Sequence, residues 1–282
     1  MRTTPRDRFE ENLQRALGKQ VSLPATIESL RVSYSTARPF PHILIDGMFD
    51  AATLEQLVNE MPSLGNDGWL RHNDDRQNLF VLRSAIELRE AGLCLVSILH
   101  SASFLYFLSA MTGIPELLPD PYLQGGGYHF MPPGAFFDVH VDRNTAYETG
   151  LVRRLGLIIY LNQDWRQEFG GQLELWDASG KECKVVVEPA FNRTIIFEIG
   201  DQNYHGVPNP VACPGTNSRK AFIAYYHTVG SKSDGAVIPH TSLFIPTNYQ
   251  TSRWNQGVLK DMIPPIIHRN LGRIRKRFRK VP

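Results

Sequence analysis

At 282 residues, with 42% apolar, 10% aromatic and 21% charged side chains, the chain has an ordinary globular composition and enough mass to bury a site without covalent staples. Three scattered cysteines, Cys94, Cys183 and Cys213, exclude a disulfide framework or a zinc knuckle and point to a reducing, cytoplasmic setting. The formal charge of +2 conceals an asymmetry: seven cations and no acid follow Asp261, so residues 262–282 carry +7 and residues 1–261 carry −5.

The first twenty residues lack the apolar run of a secretory signal, and Asp7, Glu10 and Glu11 count against a transit peptide. The spacing predicts a short amphipathic helix there. His42 to Ile45 reads as a strand after two prolines, and Asp50 as the N-cap of a helix bearing Leu54, Leu57, Val58 and Met61 at helical spacing. No charge occurs between Glu90 and Glu116, so Ala91 to Met111 has to be weighed as a membrane span. His100, Gly92 and interspersed serines and threonines dilute it, which favours two buried core helices from about Ser84, stopped at Gly113. Residues 1–121 are thus expected to be a strand and helices that support a β-rich core.

From Tyr122 to Thr228 short runs of β-branched and aromatic residues alternate with Gly, Pro, Asn and Asp. Strands are predicted at Tyr128–Met131, Ala135–Val141, Arg154–Leu161, Gln172–Trp176, Cys183–Val187, Thr194–Glu198 and Lys220–His227. Many short, evenly spaced strands signal a sandwich, barrel or jelly roll. Residues 229–282 form a C-terminal extension ending in the basic tail.

The chemically informative string is PPGAFFDVHVDRNTAYETG, where His140 and Asp142 stand one residue apart. On a strand, positions i and i+2 share a face, so both can approach one metal. Downstream, in DQNYHGVPNPV, His205 follows a strand and precedes a Gly-Val-Pro turn. Two imidazoles and a carboxylate make a facial triad that leaves positions open on an octahedral iron. Zinc would accept the same ligands, although a closed structural site would want a fourth ligand, often sulfur, and no cysteine lies in these motifs. Arg219 opens the strand SRKAFIAYYHT, and its planar fork suits a carboxylate such as the C5 group of 2-oxoglutarate. Lys220 alternates to the other face.

With these residues in view, the chain resembles the 2-oxoglutarate/iron(II) oxygenases, in their prolyl-4-hydroxylase-like branch. The order matches over roughly residues 122–228: His140 and Asp142, an arginine-led strand ending Tyr160-Leu161-Asn162, Asp164 and Trp165, Gly170-Gly171-Gln172-Leu173, Pro189 and Phe197, then His205-Gly206-Val207 and Arg219. The lead-in PFPHILIDGMFDAATLEQLVNEMP is similar to that of bacterial members. The resemblance implies an all-β core, a cupin-like double-stranded β-helix or jelly roll, with flanking N-terminal helices. It implies Fe(II), 2-oxoglutarate and dioxygen, with ascorbate as an optional reductant. It also implies that Tyr160, and with it Tyr128, turns a hydroxyl to the co-substrate. Asp142 favours hydroxylation, or hydroxylase-like desaturation or ring closure, because related halogenases lack that carboxylate. The insert PNPVACPGTNS between His205 and Arg219 is longer than in animal prolyl hydroxylases, which argues against a narrow protein-prolyl assignment.

Other residues take plainer readings. Asp138 shares the face of His140 and is expected at the rim rather than on a metal. Arg153 and Arg154 flank the site as a solvated strand end or a substrate contact, and Tyr128 and His129 either line the mouth or end a turn. Gly170-Gly171 reads as a hairpin turn, and Trp176 and Phe197 as core. The mouth is expected from segments 62–80, 143–152 and 229–256. The tail places Ile267, Leu271, Ile274 and Phe278 at helical spacing among cations, consistent with weak contact to an anionic membrane surface or with a solvated end. No aromatic-basic interleaving supports a nucleic-acid partner. A small-molecule substrate is favoured over a protein hydroxylase role, with a non-catalytic cupin-like binding module as the reading from another class.

Overall fold

The computed structural model describes residues 5–82, 87–147, 149–215, 217–230, 237–247 and 249. Residues 1–245 form one compact unit and residues 246–282 a second; the basic tail, and the helical spacing read in it, lie outside the described residues. The N-terminal segment and the β-rich core lie within the first of these units.

Five α-helices and thirteen strands are described. Helix α1 spans Pro5–Leu17, α2 Ile27–Thr36, α3 Ala51–Glu60, α4 Glu90–Leu99 and α5 Ala102–Thr112. Each boundary has a local cause. Asp50 caps α3 by accepting from the Thr53 backbone N–H at 2.8 Å, Thr26 and Ser101 cap α2 and α5 in the same way, and Gly113 ends α5 at φ 77°, in the left-handed region. The apolar stretch that had to be weighed as a membrane span is broken into α4 and α5, bent by 49°. Among the described residues no single helix is long and apolar enough to cross a membrane. Leu95, Leu99, Phe104, Phe107, Leu108 and Met111 are fully buried against the sheet side of the core. Each large side chain so buried contributes about 1.5–3 kcal/mol.

The strands are β1 His42–Asp46, β2 Leu70–Asn73, β3 Gln77–Leu82, β4 Leu118–Pro119, β5 Gly127–Met131, β6 Phe136–Val141, β7 Val152–Tyr160, β8 Leu173–Trp176, β9 Cys183–Val187, β10 Arg193–Glu198, β11 His205–Val207, β12 Arg219–Thr228 and β13 Leu243–Phe244. All named strand pairs are antiparallel, in the order β1-β10-β7-β12-β5-β3-β6-β11-β8-β9. Successive strands from β5 to β12 alternate between the run β10-β7-β12-β5 and the run β6-β11-β8-β9. Only β8 and β9 follow one another within a run. That interleaving curls the sheet into a double-stranded β-helix, or jelly roll, the fold class expected from the sequence.

Two cores result from the period of two along the strands. Leu155, Leu157, Ile159, Phe222, Ala224 and Tyr226 face the helices, whereas Ile158, Tyr160, Ala221, Ile223 and Tyr225 face the barrel interior. Tyr226 and Tyr128 carry a polar end into the helical core, where their hydroxyls donate to the Leu99 and Leu57 carbonyls at 3.2 and 3.1 Å and tie α4 and α3 to the sheet.

Three differences from the sequence reading stand out. The hairpin β2–β3 begins inside the expected mouth segment 62–80 and widens the sheet by pairing with β5 and β6. His205 opens a short strand that includes Gly206 and Val207, where the sequence reading puts a Gly-Val-Pro turn. Gly170-Gly171 is not a hairpin turn, because β8 pairs with β9 and β11 and not with the preceding β7. Both glycines hold positive φ, and a Cβ on Gly170 would come within 2.3 Å of the Pro210 carbonyl oxygen. The pair lets two backbone segments touch.

Candidate active site

His140 lies near the end of β6, Asp142 just beyond it, and His205 opens β11. Antiparallel pairing sets His205 directly opposite His140. The carboxylate completes the group: Asp142 Oδ1 is 3.6 Å from His140 Nε2, and Asp142 Oδ2 is 3.6 Å from His205 Nε2. One potential ligand atom from each residue lies within 4.8 Å of the others, and this is the one group of three or more such residues among those described. Asp138, though buried, is not in it; its carboxylate stands 3.9 Å from the Arg76 guanidinium.

The imidazoles are aimed by their backbones. His140 Nδ1 bonds the Asp138 carbonyl at 2.7 Å, and His205 Nδ1 bonds the Asn203 carbonyl at 3.1 Å. A carbonyl can only accept, so both Nδ1 atoms carry a proton, the tautomer that in a neutral ring leaves the Nε2 lone pair directed toward Asp142. Burial lowers the His205 pKa to about 4, with His140 adding to the effect and Asp142 opposing it, which leaves the ring neutral near pH 7. Burial pushes the Asp142 carboxyl up, but the His205 and His140 imidazoles outweigh it and hold the group ionised, below the usual carboxylate range. His140 Nε2 and Asp142 Oδ2 are buried with no hydrogen-bond partner. Buried polar atoms left in that condition are costly in a folded protein. A divalent cation satisfies the lone pairs together with the negative charge, so the donor set fits one iron(II).

Arg219 opens β12 and is 3% exposed. Its Nη1 contacts the Met131 sulfur at 3.3 Å, its guanidinium lies 5.2 Å from the centre of the Tyr160 ring, and its Nε has no partner. Among the described residues no carboxylate pairs with it. Burial lowers its pKa, with the Tyr160 hydroxyl opposing. The Tyr160 hydroxyl itself is buried without a hydrogen-bond partner, and burial raises its pKa against the pull of Arg219. A buried guanidinium with no carboxylate, beside a phenol with no hydrogen-bond partner, forms a receptor for an anion. Asn162 fixes their relative position: its amide donates to the Pro189 and Lys220 carbonyls at 2.8 and 3.0 Å and its oxygen accepts from the Lys220 N–H at 2.6 Å, locking the end of β7 to the start of β12.

Tyr128 does not join this group. The expectation that it turns toward a co-substrate is corrected by the pleat of β5, which sends its ring edge-on to Phe222 in the helical core and its hydroxyl to Leu57. The inward residues of β5 are His129 and Met131.

A cavity of about 350 Å³ reaches Asp142. Its wall includes His129, Arg153, Tyr225, Phe137 and Phe244, and its mouth Arg143 and Tyr147, so segments 70–81, 143–153 and 241–244 all contribute. Arg153, which the sequence reads as a solvated strand end or substrate contact, is 5% exposed, and its guanidinium lies over the Tyr225 ring at 3.8 Å. Sequence reasoning does not single out Tyr225. Counting in twos along β12 from Arg219 through Ala221 and Ile223 is the signal that would reach it. A larger hollow of about 480 Å³, bounded by Glu55, Trp165 and Lys220 among others, contains none of the triad residues.

Residues 126–227 match the family model described as the 2OG-Fe(II) oxygenase superfamily. No curated protein matches the chain. Among solved structures, a prolyl-4-hydroxylase from Pseudomonas putida is 18% identical with a TM-score of 0.50, covering 70% of this chain and 98% of that one. A prolyl hydroxylase from Trichoplax adhaerens, solved with a peptide fragment of hypoxia inducible factor, is 17% identical with a TM-score of 0.52, covering 80% and 94%. A prolyl 4-hydroxylase from Phytophthora capsici is 19% identical with a TM-score of 0.50, covering 90% and 75%. At these identities the three structures bear on the fold.

Proposed function

We propose how this chain, an iron(II)- and 2-oxoglutarate-dependent dioxygenase whose residues 126–227 belong to the 2OG-Fe(II) oxygenase superfamily, divides its labour among residues. His140, Asp142 and His205 hold the iron, and Arg219 with Tyr160 holds the distal carboxylate of 2-oxoglutarate. When bound, the iron and 2-oxoglutarate together supply the means of activating dioxygen for attack on an unreactive C–H bond. The chain binds, orients and shields. Nδ1–H bonds to the Asp138 and Asn203 carbonyls keep both imidazoles in the coordinating tautomer. Arg219 supplies a fixed positive fork where the co-substrate ends, and Tyr160 an O–H beside it. The apolar interior around them, including Leu175, Ile195 and Phe197, excludes water from the reacting centre.

The observation that carries this reading is a buried His-Asp-His cluster, two of whose ligand atoms lack any partner, together with a buried guanidinium that no carboxylate pairs among the described residues. The substrate, on this proposal, is a small molecule or biosynthetic intermediate that enters the cavity beside Asp142. A hollow of about 350 Å³ with a few polar groups on an apolar wall has the size of a small-molecule site. The three cysteines are free, which suits the reducing compartment proposed for it. Succinate released from 2-oxoglutarate under air with added iron(II) tests the assignment. The native chain is expected to form it and His140→Ala not to; equal yields from the two proteins would overturn the triad.

A further inference from the structure

Arg153 remains unexplained by iron and 2-oxoglutarate. It enters the cavity from β7, 5% exposed, with Nη2 donating to the Gln124 carbonyl at 2.8 Å and Nε without a partner. No carboxylate pairs with it among the described residues. A guanidinium has five N–H donors, and burying its charge uncompensated costs several kcal/mol. The nearby acid is Asp142, whose charge Arg153 feels and whose oxygens face the imidazoles.

A charge count decides what Arg153 is for. Iron(II) and Arg219 bring three positive charges. Asp142 and doubly ionised 2-oxoglutarate bring three negative ones. The primary site therefore balances without Arg153. Its charge is left for whatever fills the cavity. The neighbouring groups agree: Tyr225 forms the floor under the guanidinium, and His129 is neutral near pH 7 because burial holds it at about 4, its Nε2 bonded to the Gly125 carbonyl at 3.0 Å. Apart from Asp142, no acid lines the cavity among the described residues.

On the small-molecule reading of this same cavity, we propose that the substrate bears an anionic oxo group, a carboxylate or a phosphate, which seats on Arg153 so that the carbon to be oxidised faces Asp142 and the iron. Arg153 is then a specificity-determining residue. An uncharged analogue leaves a buried cation unpaired and is rejected.

Paramagnetic relaxation tests this on the full chain without knowledge of the substrate. The protein is loaded with manganese(II), which stands in for iron without turnover, and saturated with ¹³C-labelled 2-oxoglutarate so that Arg219 is occupied. Labelled acetate, inorganic phosphate and neutral acetamide are then titrated separately. Acetate or phosphate is expected to show saturable relaxation by the metal, about 10-fold or more tighter than acetamide. Arg153→Gln should remove that preference and Arg153→Lys should restore part of it. Whichever of acetate and phosphate binds tighter identifies the anion class. Equal binding of acetamide, no relaxation of either anion, or an anion preference that survives Arg153→Gln would each overturn the proposal. The signal of bound 2-oxoglutarate reports separately on the primary site and on folding. If it is unrelaxed in the native chain, the metal and co-substrate assignment fails; if it is relaxed in every variant, only the Arg153 result is at stake.

Discussion

Single side chains carry the chemistry here because their alternatives are poor. Arg219 makes the point: a buried guanidinium without a carboxylate is unstable unless an anion completes it, and lysine cannot reproduce the planar fork. Arg219→Ala should weaken 2-oxoglutarate binding by about 10- to 100-fold, the worth of a lost charge-assisted pair. Arg219→Lys should recover part of it, whereas neither change should alter manganese(II) affinity measured without co-substrate. A titration in which Arg219→Ala binds 2-oxoglutarate normally would remove Arg219 from the site. Asn162 and Gln124 act through others: one locks Lys220 beside Arg219, the other offers its carbonyl to Arg153.

At the scale of elements, the triad depends on how closely β11 lies on β6. Gly206 sets that distance, since a Cβ there would meet Val139 Cα at 2.8 Å and the Asp138 carbonyl oxygen at 2.9 Å. Both neighbours are backbone and cannot rotate aside. Asp138 is also the acceptor that orients His140, so a shift would disturb two ligands together. Gly206→Ala is therefore expected to cost about 1–3 kcal/mol in urea unfolding, the usual range for overpacking. It should also weaken metal binding, while Gly215→Ala, which meets nothing within 4 Å of its Cβ, should leave metal binding alone. Equal effects of the two glycines on metal affinity would show that strand spacing does not control the site.

For the whole molecule, burial itself becomes measurable through pH. His129 and His227 are both held at about 4, chiefly by burial, against about 6.5 for an exposed imidazole. Between those values the unfolded chain binds protons that the folded chain refuses, so stability falls as pH drops from about 6.5 to about 4 and these two groups add no further loss below that. Each contributes a slope of about 1.4 kcal/mol per pH unit at most. Urea unfolding of the metal-free protein at pH 7, 6 and 5 should track that fall; a flat profile would contradict it. The −5 and +7 charges of residues 1–261 and 262–282 make a second whole-chain expectation. Vesicles containing anionic lipid test the two readings of that tail: surface contact predicts weak retention lost in high salt or on removal of residues 262–282, a solvated end predicts none.

Much of the site is legible in the sequence without any fold, and the reason is locality. His140 and Asp142 share a face because strand side chains repeat in twos; Asp50 and Gly113 mark helix ends through bonds and backbone angles within a few residues. Arg219 and His205 are recognisable from type and order. What the sequence alone does not decide are facts of distant pairing: that His205 stands opposite His140, that Tyr128 turns to Leu57 rather than inward, that β2 and β3 widen the sheet, and that Arg153 is buried against Tyr225. Each depends on which strands become neighbours and which face is covered. Those are settled by contacts between residues tens of positions apart, which no local period records.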